Sequence, residues 1–257
     1  GTAPGALAPG ALQLQQHHHL QETPFSLELL IKRRQASCPS GKWDSILSRS
    51  SDKRVAYIAV ARTGSDSMKS AIGLLYNTSV PHVHDCVVRD LEEVNATHLM
   101  LSIRHPADRI FSGFRRRMEG NFARKQANAD MLTMSERFGE EFGNKFLDAL
   151  RNVSDPLHGR VMDDAMGPDQ QAYLLPVTSF YLAGARDTAK LAWLCTDSLS
   201  DDFDRVAAEW GLSVTMPREE QSVHQSSVEL AAFSDENLAW IADTYRADVE
   251  FWKQRCS

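Results

Sequence analysis

The chain has no apolar run approaching the roughly 18 residues that a membrane-spanning helix needs; its longest clean run covers only residues 55–61. Positive charge is also scarce. Lys and Arg total 28 against 34 Asp and Glu, a formal charge of −6, which excludes a protein that coats nucleic acid through its overall field. Any anion site must be a local basic patch. Cysteine is sparse: Cys38, Cys86, Cys195 and Cys256 lie far apart. No pair has the C-x2-C spacing of a zinc site, which speaks against a metal. The phosphate-loop consensus G-x-x-x-x-G-K-[ST] is missing too, which argues against an ATP-dependent kinase. What remains, at 257 residues with 42% hydrophobic and 24% charged side chains, is one ordinary globular domain with a sizeable core.

Four cysteines permit two disulfides in any of three connectivities, or four separate buried thiols. Three glycosylation sequons tilt the balance towards an oxidising compartment: Asn77-Thr78-Ser79, Asn95-Ala96-Thr97 and Asn152-Val153-Ser154. Residues 1–23 are rich in Ala, Gly, Pro, Gln and His and offer little to a core. Residues 1–36 therefore read as a stem or linker to a signal or membrane anchor, and residues 37–257 as a single α/β domain in the secretory-pathway lumen. His17, His18 and His19 read as incidental.

Residues 55–61 predict a buried strand, and Met68, Ala71, Ile72 and Leu75 give helical spacing over 67–76. Residues 98–103 predict a second strand, followed by a helix opening at Pro106 and running to about Glu119. Phe138, Phe142, Phe146 and Leu150 mark another helix over 136–150. Residues 189–195 read as a third strand and 200–210 as a helix ended by Gly211. Ser234 caps a last helix carrying Leu238, Ile241, Tyr245, Phe251 and Trp252. Strands alternating with helices imply a parallel sheet.

Two segments carry chemistry. In Arg62-Thr63-Gly64-Ser65-Asp66-Ser67-Met68, a strand feeds a small-residue loop that opens a helix. That arrangement aims backbone N–H groups and a helix N-terminus at one spot, where a phosphate binds. Arg62 adds a charged fork. In the second segment, Arg104 ends the second strand, where open α/β sheets bind ligands, and Ser112 lies eight residues on. From Arg104 to Lys125 there are seven Arg or Lys against two acids. Arg115, Arg116 and Arg117 read as a solvated helix face.

Together these segments resemble the paired donor-binding motifs of sulfotransferases that use 3′-phosphoadenosine 5′-phosphosulfate. The first is similar to their 5′-phosphosulfate loop, P-K-T-G-[GS]-T-S. The second is similar to their 3′-phosphate motif, R-D-P-x-x-R-x-x-S, with the Arg-to-Ser spacing kept. The resemblance covers most of residues 53–253 and is nearest the membrane-anchored Golgi enzymes that sulfate glycans. It implies a P-loop-NTPase-like three-layer α/β fold, a central parallel sheet flanked by helices. It also implies a donor held by Arg62, Thr63, Gly64, Ser65, Asp66, Ser67, Met68, Arg104 and Ser112. Arg62 stands where the family usually has Lys; tyrosylprotein sulfotransferases are similar in having Arg there. Asp66 stands for a Thr and His105 for an Asp. A carboxylate at 66 repels a phosphosulfate unless it points away.

His82 and His84 lie between the two motifs and resemble the H-x-H of uronyl 2-O-sulfotransferases. The resemblance makes His84 the general base, with Asp85 or Asp90 to orient it, and His82 an acceptor contact; imidazole suits proton transfer near neutral pH. His224, Gln225, Ser226 and Ser227 precede the last helix, and Gln170, Gln171 and Tyr173 are positioned to line an acceptor cleft. The expected reaction is sulfuryl transfer to a hydroxyl of a glycan or glycolipid, with no metal and no nucleic acid. A tyrosine or small-alcohol acceptor is the neighbouring alternative. A catalytically silent protein that holds a nucleotide or an anionic glycan is the alternative from another class.

Overall fold

Val55, Ala56, Tyr57 and Ile58 form β1 (Val55–Ile58), and all four are buried. A strand buried on both faces needs cover on both, and its run of aliphatic and aromatic side chains suits that position. The structure is a computed structural model that describes residues 23–34, 38–49, 52–118, 137–166, 172–217 and 230–257. Among these, β1 pairs in parallel with β2 (His98–Ile103), which pairs in parallel with β3 (Lys190–Cys195). Val55 stands opposite His98, and Ile103 opposite Cys195. All three carboxyl ends therefore share one edge. The result is an α/β fold, a small parallel sheet flanked by helices. β1 stops short of the expected residue 61 because the Val60 N–H turns back to the Ile58 carbonyl at 2.9 Å.

The N-terminal part differs from the stem expected over residues 1–36. Leu27–Arg33 form α1, capped by Ser26, and bury Leu30. Nearby, the carbonyl of Thr23 meets Nε2 of buried His158 at 3.1 Å. Residues 1–22 lie outside the described residues. After α2 (Ser40–Leu47) and β1, α3 spans Ser65–Tyr76, starting two residues before the expected position. It ends on Asn77 in the left-handed conformation, with the Thr78 N–H bonded to the Gly73 carbonyl, a helix stop that Asn tolerates better than most residues.

α4 (Val88–Glu93) precedes β2, and α5 (Pro106–Met118) follows it with Pro106 at its first position. A 3-10 turn (Gly139–Glu141) leads into α6 (Phe142–Arg151), and α7 is His158–Ala165. The faces of α5 and α6 meet through Phe114, which makes edge or tilted contacts with Phe142, Phe146, Tyr173 and Phe233 at 5.0–6.0 Å. Gly113 permits this closeness, since a Cβ there would come within 2.3 Å of the Tyr173 ring. Arg117 is not solvated: it is buried and pairs bidentately with Asp164.

α8 (Leu199–Glu209) ends at Gly211, whose φ of 62° is the left-handed stop expected there. The last helix, expected as one, is two: α9 (Asp235–Thr244), capped by Ser234, and α10 (Arg246–Cys256). The break falls at Tyr245, whose buried hydroxyl donates to the Leu174 carbonyl at 2.8 Å. Asp248 of α10 accepts N–H bonds from Val177 and Thr178 and faces buried Arg109 at 3.6 Å. Of the three possible disulfide connectivities the structure has Cys38–Cys86 and Cys195–Cys256. Two disulfides suggest an extracellular or secretory-pathway location. Among the described residues, no helix is long and apolar enough to cross a membrane.

Candidate anion-binding site

The site grows from the turn after β1. Arg62 and Gly64 both take positive φ, 66° and 83°. At Gly64 the conformation and the space agree, because a Cβ would meet Leu199 Cδ2 at 2.3 Å. Between them Thr63 points inward and is fully buried. Its hydroxyl donates to the Val60 carbonyl at 2.8 Å and meets Ser102 Oγ of β2 at 2.8 Å. The Thr63 hydroxyl thus holds the loop to the sheet, and only the backbone of Thr63 faces the expected donor position.

Gly64 has no side chain to cap α3, and the first internal bond of the helix runs from the Met68 N–H to the Gly64 carbonyl at 3.1 Å. The N–H groups of Ser65, Asp66 and Ser67 have no acceptor among the described residues. Unpaired N–H groups at the positive end of a helix dipole favour an anion. Met68 leaves the site, because its N–H is spent in the helix and its side chain is fully buried in the core.

The second motif converges on the same place. On α5, Ser112 Oγ accepts a hydrogen bond from Arg62 Nε at 3.3 Å. Arg104 follows β2 at the same sheet edge, and its buried Nε has no hydrogen-bond partner among the described residues. A guanidinium with an unanswered N–H beside a helix N-terminus is an incomplete polar arrangement that an anion completes.

The two histidines stack edge to face, with ring centroids 4.9 Å apart, yet their roles diverge. His84 Nδ1 lies 2.6 Å from the Ala59 carbonyl. Only a donor suits that contact, so Nδ1 carries the proton in neutral imidazole and Nε2 keeps its lone pair. His82 is fully engaged: Nε2 lies 3.0 Å from Ser65 Oγ and Nδ1 lies 3.3 Å from Asp66 Oδ1. In this position His82, expected as an acceptor contact, braces the first turn of α3. Burial first, then the neighbouring His84 and Lys69, hold the His82 pKa below its ordinary value against the opposing pull of Asp66. The Asp66 side chain is 82% exposed. It points to His82 and solvent, as an anion site at the helix N-terminus requires.

Direct contacts thus link Arg62 to Ser112, and Ser65 and Asp66 to His82; Gly64 and Ser67 belong to the same turn and first helical residues, and Arg104 and His84 lie at the ends of β2 and β1. Of the residues suggested to orient His84, Asp85 pairs with Arg34 of the α1 C-cap at 3.4 Å and Asp90 with Arg89 at 3.6 Å; the orienting group is the Ala59 carbonyl. The sequence reading missed that carbonyl and missed Ser102. The signal for Ser102 was a lone hydroxyl among the apolar residues 99–103 of β2, since a buried polar group needs a partner. Tyr173 is buried against α5. Gln170, Gln171, His224, Gln225, Ser226 and Ser227 lie outside the described residues. Comparison of the chain with protein-family models, with curated proteins and with solved structures finds no match.

Proposed function

We propose that the chain is a sulfotransferase of P-loop-NTPase-like fold. It moves the sulfuryl group of 3′-phosphoadenosine 5′-phosphosulfate to a hydroxyl of a glycan or glycolipid in the Golgi lumen. The observation that carries this reading is the Arg62–Ser112 contact. It joins two anion-binding motifs, far apart in sequence, at the carboxyl edge of the sheet, and such a pair suits a ligand with phosphates at both ends of a nucleoside.

In this reading the 5′-phosphosulfate sits on the N–H groups of Ser65, Asp66 and Ser67 with Arg62 beside it, and Arg104 takes the 3′-phosphate. The acceptor oxygen forms its bond to sulfur in line with the breaking bond to the phosphate oxygen. The hydroxyl proton passes to His84 Nε2, and the nucleotide leaves as 3′-phosphoadenosine 5′-phosphate. Positioning and charge neutralisation supply most of the acceleration, as in phosphoryl transfer.

Calorimetric titration with 3′-phosphoadenosine 5′-phosphate, adenosine 5′-phosphate and ATP tests the donor site. Micromolar affinity that requires the 3′-phosphate is expected, and Arg104→Ala should remove about 10–100-fold of it, the worth of a hydrogen bond to a charged group. Equal affinity for adenosine 5′-phosphate, or no binding, overturns the reading. Tight binding without turnover on any hydroxyl acceptor leaves the catalytically silent protein in its place.

A further inference from the structure

Glycosylation needs an accessible Asn amide and a sequon hydroxyl, and the three sequons differ in how their side chains are engaged. All three Asn residues are exposed. At the second sequon, Thr97 Oγ1 accepts the Arg54 N–H at 2.9 Å and contacts His98 Nδ1 at 3.0 Å. At the third, Asn152 Oδ1 accepts the Ser154 N–H at 3.0 Å. At the first, neither the Asn77 amide nor the hydroxyl of exposed Ser79 makes a hydrogen bond among the described residues.

The surroundings of Asn77 are also built differently. It lines an open groove of about 420 Å³ with Lys69, Ser70, Gly73, Leu74 and Ser79. Leu74, one turn before Asn77, is 62% exposed, the most exposed large apolar side chain among the described residues. A lone exposed leucine needs no explanation. One set in a mainly apolar groove that Lys69, Ser70 and Ser79 also line, beside an unengaged Asn amide, matches the two-sided chemistry of a sugar ring, with C–H groups on one face and hydroxyls at the rim.

We infer that Asn77 carries an N-linked glycan whose first N-acetylhexosamine packs on Leu74 in this groove. The co-reactant is a lipid-diphosphate-linked oligosaccharide of the secretory pathway, the compartment to which the two disulfides point. The Asn77 Nδ2–C1 bond forms and the C1–O bond to the diphosphate breaks. The diphosphate leaves with the electron pair, and one amide proton passes to solvent. The glycan leaves the anion site open, because α3 has 12 residues and separates Ser65 from Asn77 by about 18 Å.

The experiment is secretion of the full chain from a eukaryotic cell, followed by peptide mapping and carbene footprinting before and after peptide-N-glycosidase treatment. The Asn77 peptide should be glycosylated, and enzymatic release should convert its asparagine to aspartate while labelling of Leu74 rises severalfold. Ser79→Ala should give the same labelling without enzyme. It removes the sequon and leaves Asn77 in its left-handed turn, φ 47°. Should that variant fail to be secreted, the enzymatically trimmed wild type supplies the comparison. An unmodified Asn77 peptide overturns the inference, and so does a glycosylated one whose Leu74 labels equally before and after release.

Discussion

Arg62 Nε donates to Ser112 Oγ at 3.3 Å across 50 positions of sequence, so the charge of the β1 loop is aimed by a hydroxyl on α5. A hydrogen bond of this kind is worth about 0.5–1.5 kcal/mol net. Ser112→Ala should therefore weaken binding of 3′-phosphoadenosine 5′-phosphate about 2–10-fold. Arg62→Ala should cost turnover about 100–1,000-fold, the scale of losing one preorganised charge-stabilising donor. In the Arg62→Ala background, Ser112→Ala should add little, because the two act as a unit. Calorimetry on the four proteins of this cycle gives the coupling directly. Additive losses would separate the two residues.

His84 presents a lone pair at Nε2 because the Ala59 carbonyl, 2.6 Å away, holds the proton at Nδ1. Replacing a general base costs about 100–10,000-fold in rate. His84→Gln should lower kcat on that scale while leaving donor affinity within a factor of about two, since no donor contact falls on it in the proposed arrangement. Turnover and calorimetry on the same preparation check this. A parallel loss of donor affinity would place His84 in the donor pocket instead.

Much of this architecture was legible in the chain. The apolar run from Val55, the alternation of strands with helices, the stop at Gly211 and the N-cap at Ser234 are local signals, and the structure has each of them. What escaped were choices decided by tertiary contacts. The last helix breaks at Tyr245 because its hydroxyl finds a buried carbonyl 71 positions away. α1 packs although residues 27–33 adjoin a low-complexity segment, since burying Leu30 outweighs that setting. In the site, the residue types were readable but their division of labour was not. Thr63 and Met68 turn inward, and His82 braces Ser65, because sheet packing and neighbouring groups fix side-chain direction. Spacing alone carries no such information.

The buried hydroxyl pair Thr63–Ser102, 2.8 Å apart, ties the β1 loop to β2. Thr63→Val keeps the volume but leaves Ser102 facing a methyl group and removes the bond to the Val60 carbonyl. An unsatisfied buried polar group costs about 1–3 kcal/mol, so urea denaturation should show a stability loss of that size. Thr63→Ser, which restores the hydroxyl, should recover most of it. A Val variant as stable as wild type would mean that the pair contributes nothing net.

The depressed pKa of His82 makes the loop acid-sensitive, with a definite sign. Burial and the adjacent His84 ring disfavour its protonation in the folded state, whereas the unfolded chain takes up that proton near the ordinary pKa of about 6.5. Below that value the unfolded state binds more protons than the native one, so stability falls as pH falls, until the lower native pKa is passed. Wild-type Tm should therefore decline on acidification from about 7 through 6.5, and His82→Asn should flatten that decline. Asp66 pulls the other way by favouring the protonated ring. Asp66→Asn should accordingly extend the decline to lower pH. Thermal denaturation across this range for the three proteins decides it. A wild-type curve parallel to that of His82→Asn would show that His82 does not control the acid sensitivity of the fold.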